Sequence, residues 1–197
     1  MSETTSESVW EAIRGRRSVG RVKSDPVSRK LVERLLDAAN WAPSHHGTEP
    51  WRFVVLTGKG RSVLGEAYAD IAAENAGSAD AEQLASLRAK QAAKAFRAPV
   101  VIAAYVSPSA QPGISRAEEF AAAHAAVQNM LLAAHALGLG AIWRSGEPMY
   151  HARMKQAFGL AEHEEMVGLI YVGYPDMAIP EGRRKPVAAK TRWIGDM

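Results

Sequence analysis

The sequence predicts a β-sheet covered by helices, of the α+β or α/β class. Three observations point there. Three runs rich in β-branched and aromatic residues are separated by helical stretches rather than by tight turns. The longest helical pattern, Glu118 to Leu137, is Ala-rich and apolar on nearly every face. Within the 197 residues no repeat and no linker divides the chain, and that length can bury one core without disulfides or metals.

Residues 1–7 are polar and read as a disordered tail, with one folded domain over 8–197. Ser8-Val9-Trp10-Glu11 has the form of a capping box, with Ser8 as N-cap, opening a short helix that Gly15 closes. Arg16-Arg17-Ser18 follow in a turn. Leu31, Val32, Leu35, Leu36 and Ala39 recur at helical spacing over 29–40, and Pro43 stops that helix. The polar turn 44–50 leads into a strand at 51–56, closed by Thr57-Gly58.

Residues 60–96 carry many charges and much alanine. They read as one or two helices with a break at Gly77-Ser78, and as the most exposed part of the chain. The run 99–106 is apolar enough for a strand buried on both faces. A Pro/Ser/Gly loop then leads into the long helix, which Gly138 and Gly140 close. Apolar on nearly every face, that helix needs cover on every face, either from the core alone or from a second subunit across a two-fold interface. Ile142-Trp143 forms a short strand that turns into Arg144-Ser145-Gly146, a sheet edge opening a helix near Glu147, where anions are favoured. The third strong strand lies within 164–174, and beyond Asp176 the tail is rich in proline and basic residues.

Composition excludes several classes of function. There is no cysteine, hence no disulfide, thiolate metal site or cysteine nucleophile, and a reducing, cytoplasmic compartment is expected. The N-terminus lacks the plan of a signal peptide, and no apolar run reaches the roughly 18 residues of a membrane span. A net charge of +3, from 24 basic and 21 acidic residues, does not mark a nucleic-acid binder. The charge is nonetheless clustered: Arg14, Arg16, Arg17, Arg21 and Lys23 near one end, and Arg183, Arg184 and Lys185 near the other. Such clusters either converge on one phosphate or form two solvated faces.

Arg16-Arg17-Ser18 supplies two guanidinium groups and a hydroxyl, a donor set suited to a phosphate dianion. His45-His46 has no second ligand pair at metal-binding spacing. His124 and His135 are eleven residues apart on one helix, about 16 Å, too far to share an ion. No metal site is expected. Nucleophile-elbow, phosphate-loop and dinucleotide fingerprints are missing, so difficult chemistry would come from a bound cofactor.

Three stretches in order, Arg16-Arg17-Ser18, the segment from Ala42 to Phe53, and Gly140 to Gly146, resemble the FMN-dependent nitroreductase family, in its YdjA-like branch of small NAD(P)H nitroreductases. The resemblance covers Ser8 to Pro186. It implies an α+β fold with a central mixed sheet flanked by helices. It also implies an intertwined homodimer centred on the long helix, with two FMN sites built from both subunits. By the same resemblance Arg16 and Ser18 hold the FMN phosphate, with Arg17 beside the ribityl chain or pyrimidine edge. His45 contacts the flavin, Trp143, Arg144 and Ser145 lie along it, and Arg183 and Lys185 complete the phosphate site. NAD(P)H and a nitroaromatic, quinone or similar small-molecule acceptor would then use one open pocket in a ping-pong cycle, the chemistry residing on flavin N5 rather than on a catalytic side chain. Other readings are a reductase of an enone-type acceptor and a flavin-storage protein with little turnover.

The chain departs from the family pattern at Gly20, where some relatives carry Lys, at Trp41, where the closest branch has a basic residue, and at Gly47 and Glu49, where many have Asn and Gln. Arg17 or Arg21 then becomes the expected source of positive charge near flavin N1.

Overall fold

The computed structural model describes residues 3–77 and 80–195. At its centre lie β2 (Val100–Val106) and β4 (Glu165–Gly173), two strands whose side chains are buried on both faces. β1 (Trp51–Thr57) pairs with β2 on one side, and β3 (Gly140–Arg144) pairs with β4 on the other, giving the order β1-β2-β4-β3. All three ladders are antiparallel. The parallel component of the expected mixed sheet is confined to one isolated bridge, Ser18 to Ala141.

Helices cover both faces of the sheet, in keeping with the α+β class. On one face α2 (Arg29–Asn40) and α5 (Arg116–Ala136) pack on Val100, Ile102, Ile170 and Val172. α2 begins where the Ser28 hydroxyl accepts the Leu31 N–H at 3.3 Å, and it buries Val32, Leu35 and Ala39 on a single stripe. α5 ends in a Schellman motif. Leu139 N–H reaches the Ala134 carbonyl at 2.8 Å and Gly138 N–H the His135 carbonyl at 3.0 Å, with Gly138 at φ 71°. That sharp stop turns the chain directly into β3.

On the other face, α3 (Ser62–Asn75) covers Val101, Ala103, Leu169 and Tyr171, together with α6 (Glu147–Tyr150) and α7 (Ala152–Ala157). α4 (Ala81–Ala92) packs on α3 and buries no residue fully. The expectation of an exposed region over 60–96 thus holds for α4. It fails for α3, whose Leu64, Ala67 and Ile71 belong to the core. The expected break falls between these helices, with Ser78 outside the described residues.

α1 runs Glu3–Gly15, so helix occupies residues 3–7, where an irregular tail is expected from sequence, and Ser8 is inside the helix rather than its N-cap. No glycine or proline stands between Glu3 and Ile13 to stop helix propagating backwards. α5 buries one face only, including Ala122, Ala126, Met130 and Ala134, while Ala121, His124 and Gln128 stay exposed. After Asp176 the chain runs exposed over the surface with no strand. Among the described residues no helix is long and apolar enough to cross a membrane.

Candidate functional site

Two of the three polar stretches meet at the free edge of β3. Val19 N–H donates to the Ala141 carbonyl at 3.0 Å, and Ser18 bridges to Ala141, so residues 18–19 run beside β3 as a rudimentary fifth strand. Gly15, just upstream, packs against His135 of α5, where an added Cβ would fall 2.6 Å from Nε2. The end of α1 and the end of α5 therefore fix Arg16-Arg17-Ser18 against the sheet.

Arg17 Nη1 donates to the carbonyls of Arg14 and Arg16 at the helix C-terminus. Its guanidinium lies against the backbone of Gly182, and its Nε is buried without a partner. Arg16 is half-buried. Burial, then the charges of Arg17 and Arg184, push its pKa below the ordinary arginine value. Three guanidinium groups from the two ends of the chain thus gather beside Ser18, and no described carboxylate forms a salt bridge with any of them. Within the late cluster it is Arg184 whose charge reaches Arg16. Arg183 and Lys185 flank it on the exposed tail. Arg21 is occupied elsewhere: its Nε sits 3.5 Å from the Asp176 carboxylate and also donates to the Asp176 carbonyl.

β3 alternates its side chains between the two faces of the sheet. Trp143 points to the α5 side, where its ring meets His124 at 5.6 Å between centroids and its Nε1 donates to the Val167 carbonyl at 3.1 Å. Gly168 makes that position possible, since a Cβ there would fall 2.0 Å from Trp143 Nε1. Arg144 points to the opposite side. Its guanidinium carbon lies 5.6 Å from the Tyr171 ring centroid, its Nε is buried without a partner, and its Nη2 is 4.0 Å from where a side chain on Gly20 would begin. Trp143 and Arg144, adjacent in sequence, thus leave β3 on opposite faces of the sheet, although both border the cavity at its end.

Arg144 and Ser145 line a cavity of about 430 Å³ that also receives Lys94, Arg97, Tyr68 and Tyr171. Ile142, Met149 and Leu169 form its apolar wall, and no acidic residue lines it. The two tyrosine hydroxyls are 3.4 Å apart. Burial raises the pKa of both, outweighing the opposing Arg144 and Arg97 charges, so both hydroxyls remain neutral donors. None of Tyr68, Lys94, Arg97 and Tyr171 carries a local motif. The available signals were two basic residues just before a strand and one hydroxyl inside an apolar run.

His45 stands apart. It is exposed in a short 3-10 turn, with Nε2 3.7 Å from the Glu118 carboxylate near the start of α5. The turn is anchored by Glu119, a buried carboxylate that accepts from the Thr48 hydroxyl and from Ser109 N–H at 2.9 Å. Ser44 completes the clamp by accepting the Glu49 N–H at 2.9 Å, which stabilises the positive φ of His46 and Glu49. His45 thus lies by residue 118 of α5, whereas Arg16 lies by residue 135, about 25 Å along the helix.

The profile of the family described as "Nitroreductase family" matches residues 13–174. The provisionally named NAD(P)H nitroreductase YdjA of Escherichia coli is 32% identical over 167 residues, covering 85% of this chain and 88% of that protein. A nitroreductase-like family protein of Bacillus cereus superposes with a TM-score of 0.81 at 33% identity, over 95% of this chain and 96% of that one. A provisionally named nitroreductase of Desulfovibrio desulfuricans, solved in complex with FMN, gives a TM-score of 0.68 at 30% identity, over 95% and 97%.

Proposed function

This chain belongs to the nitroreductase family, in its YdjA-like branch, and from that premise we propose that it is an FMN-dependent oxidoreductase working in the cytoplasm. It takes reducing equivalents from NAD(P)H and passes them to a small-molecule acceptor of the nitroaromatic or quinone kind.

One observation carries the reading: Arg16, Arg17 and Arg184 act on one another beside Ser18, and the buried Nε of Arg17 has no partner. Unpaired guanidinium groups raise one another's energy, and a bound phosphate dianion relieves that repulsion through charge-assisted hydrogen bonds. The residues present fit FMN. Arg16 and Ser18 would hold the phosphate, with Arg17 alongside and Arg183 and Lys185 closing over it from the tail. Arg144 would face the ring system from β3, Ser145 beside it, and Trp143 would hold that strand in place. Bound FMN supplies hydride acceptance and two-electron transfer.

Arg144 also supplies positive charge on the side of the chain where Gly20 has none, a role that Arg21, tied to Asp176, is not free to take. A guanidinium there favours negative charge developing on the ring during reduction. The cavity is open to solvent, so donor and acceptor can occupy it in turn, as a ping-pong order requires.

The active species is a homodimer. α5 leaves a face with Ala121, His124 and Gln128 uncovered, Val9, Trp10 and Ile13 of α1 are exposed, and so are Trp193 and Ile194 of the tail. A second copy covers these surfaces and brings its own His45 toward the Arg16 cluster.

The deciding experiment is an absorption spectrum of the purified protein, with chromatographic identification of flavin released by heat. About one FMN per chain, bleached by NAD(P)H and restored by a nitroaromatic or quinone, is the expected result. A protein that neither contains nor takes up FMN overturns the reading, and one that binds FMN without turnover is a carrier.

A further inference from the structure

The cavity beside β3 holds more positive charge than one neutral ring system needs. Lys94, Arg97 and Arg144 all line it, no Asp or Glu does, and none of the three forms a salt bridge among the described residues. They come from separate elements. Lys94 and Arg97 stand between α4 and β2, with Lys94 Nζ 6.0 Å from the Tyr68 ring centroid, while Arg144 stands at the end of β3. Arg97 and Arg144 line the same volume as the Tyr68 and Tyr171 side chains. Where a carboxylate is in reach it pairs with a surface cation, as Asp70 does with Arg88 at 2.6 Å. Here Glu147 lines the adjoining hollow that shares Tyr68 and Lys94, but among the described residues no carboxylate comes within salt-bridge distance of the three cations. Arg144 is taken up by the cofactor role proposed above, and Lys94 and Arg97 are left over.

We propose that Lys94 and Arg97 are specificity residues that select acceptors bearing a negative charge, namely aromatic or quinonoid compounds with a carboxylate. The proposal rests on the flavin reading of the site. The apolar wall of Ile142, Met149 and Leu169 receives the aromatic part of the acceptor. Of the two neutral tyrosine hydroxyls one donates to the other and one is left to donate to the acceptor, and the cations attract the carboxylate, raising both encounter rate and affinity.

The test isolates the acceptor step. Protein loaded with FMN is reduced anaerobically by dithionite and reoxidised in a stopped-flow instrument by 4-nitrobenzoate or by uncharged 4-nitrobenzamide. In each case the nitro group takes two electrons and two protons, giving the nitroso compound and water. The amide is intrinsically the more electron-deficient, so the informative quantity is the benzoate-to-benzamide rate ratio in wild type against K94Q/R97Q. That ratio is expected to fall roughly tenfold, the scale of one charge-assisted hydrogen bond. FMN content and the benzamide rate should hold, and K94R/R97K should recover the ratio. An unchanged ratio overturns the proposal. Loss of FMN from K94Q/R97Q also overturns it, by assigning the two cations to the cofactor. Absence of FMN from the wild type would refute the underlying flavin reading instead, and is seen before any acceptor is added.

Discussion

Gly140 and Val19 are in direct apposition: a Cβ on Gly140 would lie 2.8 Å from Val19 Cγ1 and 3.0 Å from its Cβ. The contact sets how closely residues 18–19 approach β3, and with it the position of the Arg16 cluster. Gly140→Ala should cost about 1–3 kcal/mol in urea unfolding, as overpacking does. It should also lower FMN retention, because the Val19 to Ala141 hydrogen bond is stretched. Adding Val19→Ala removes the colliding methyl groups and should restore retention. A double variant as poor as the single one would show that the glycine matters for another reason.

Arg16→Ala should weaken FMN binding by about 2 kcal/mol, roughly thirtyfold, the loss of a hydrogen bond to a charged group. Arg21→Ala should leave it nearly unchanged, since that side chain is tied to Asp176. Flavin-fluorescence titrations of the two variants decide between a specific phosphate contact and a general effect of basic charge. Equal losses would favour the latter.

Glu119 is the one buried charged residue among the described positions, and its carboxylate serves both the Thr48 hydroxyl and the Ser109 N–H. Glu119→Ala leaves both donors without their acceptor and should destabilise the fold by about 1–3 kcal/mol. Glu119→Gln keeps an acceptor oxygen and should cost less. Chemical denaturation of the two variants measures the difference, and equal costs would mean that the carboxylate charge, rather than its accepting geometry, anchors the turn.

The elements that sequence pattern located well are those whose local signals agree with their tertiary use. α2 has a cap, a single apolar stripe and a following proline, and β2 is an unbroken apolar run. Arg16-Arg17-Ser18 and Arg144 were legible because each is a dense polar cluster at an element boundary. The facing of side chains was not: Trp143 and Arg144 read as one motif, yet strand alternation sends them to opposite sides of the sheet. Nor was the cavity, because Tyr68, Lys94, Arg97, Arg144 and Tyr171 are assembled by topology from distant parts of the chain. Glu119 was hidden for a similar reason. Beside Glu118 near the start of a helix it looks like an ordinary N-terminal acid, and only the 44–49 turn makes it a buried anchor.

The preference for anionic acceptors should be insensitive to pH between about 6.5 and 9. The tyrosine pKa values are raised above their ordinary value of about 10, so both hydroxyls stay protonated throughout that range. Carboxylate acceptors are likewise fully ionised. Reoxidation rates for 4-nitrobenzoate and 4-nitrobenzamide at several pH values measure it. A ratio that fell sharply with an apparent midpoint inside the range would assign the selectivity to another group, such as a histidine.

Within one chain, His45 and Arg16 are held near opposite ends of α5, by Glu118 and by the Gly15 to His135 contact, about 25 Å apart along the helix. One flavin phosphate and ring cannot be gripped from both ends by a single copy. If each site instead combines Arg16 of one subunit with His45 of the other, two defective chains can complement each other. Homodimers of Arg16→Ala and of His45→Ala should each bind FMN weakly at both sites. In a heterodimer made by co-expressing the two with different tags, one site gathers both defects and the other gathers none. Tight binding of one FMN per heterodimer is therefore expected, read by flavin content after tandem affinity purification. If each site were built within one chain, every site in the heterodimer would carry one defect, and no tight binding would reappear.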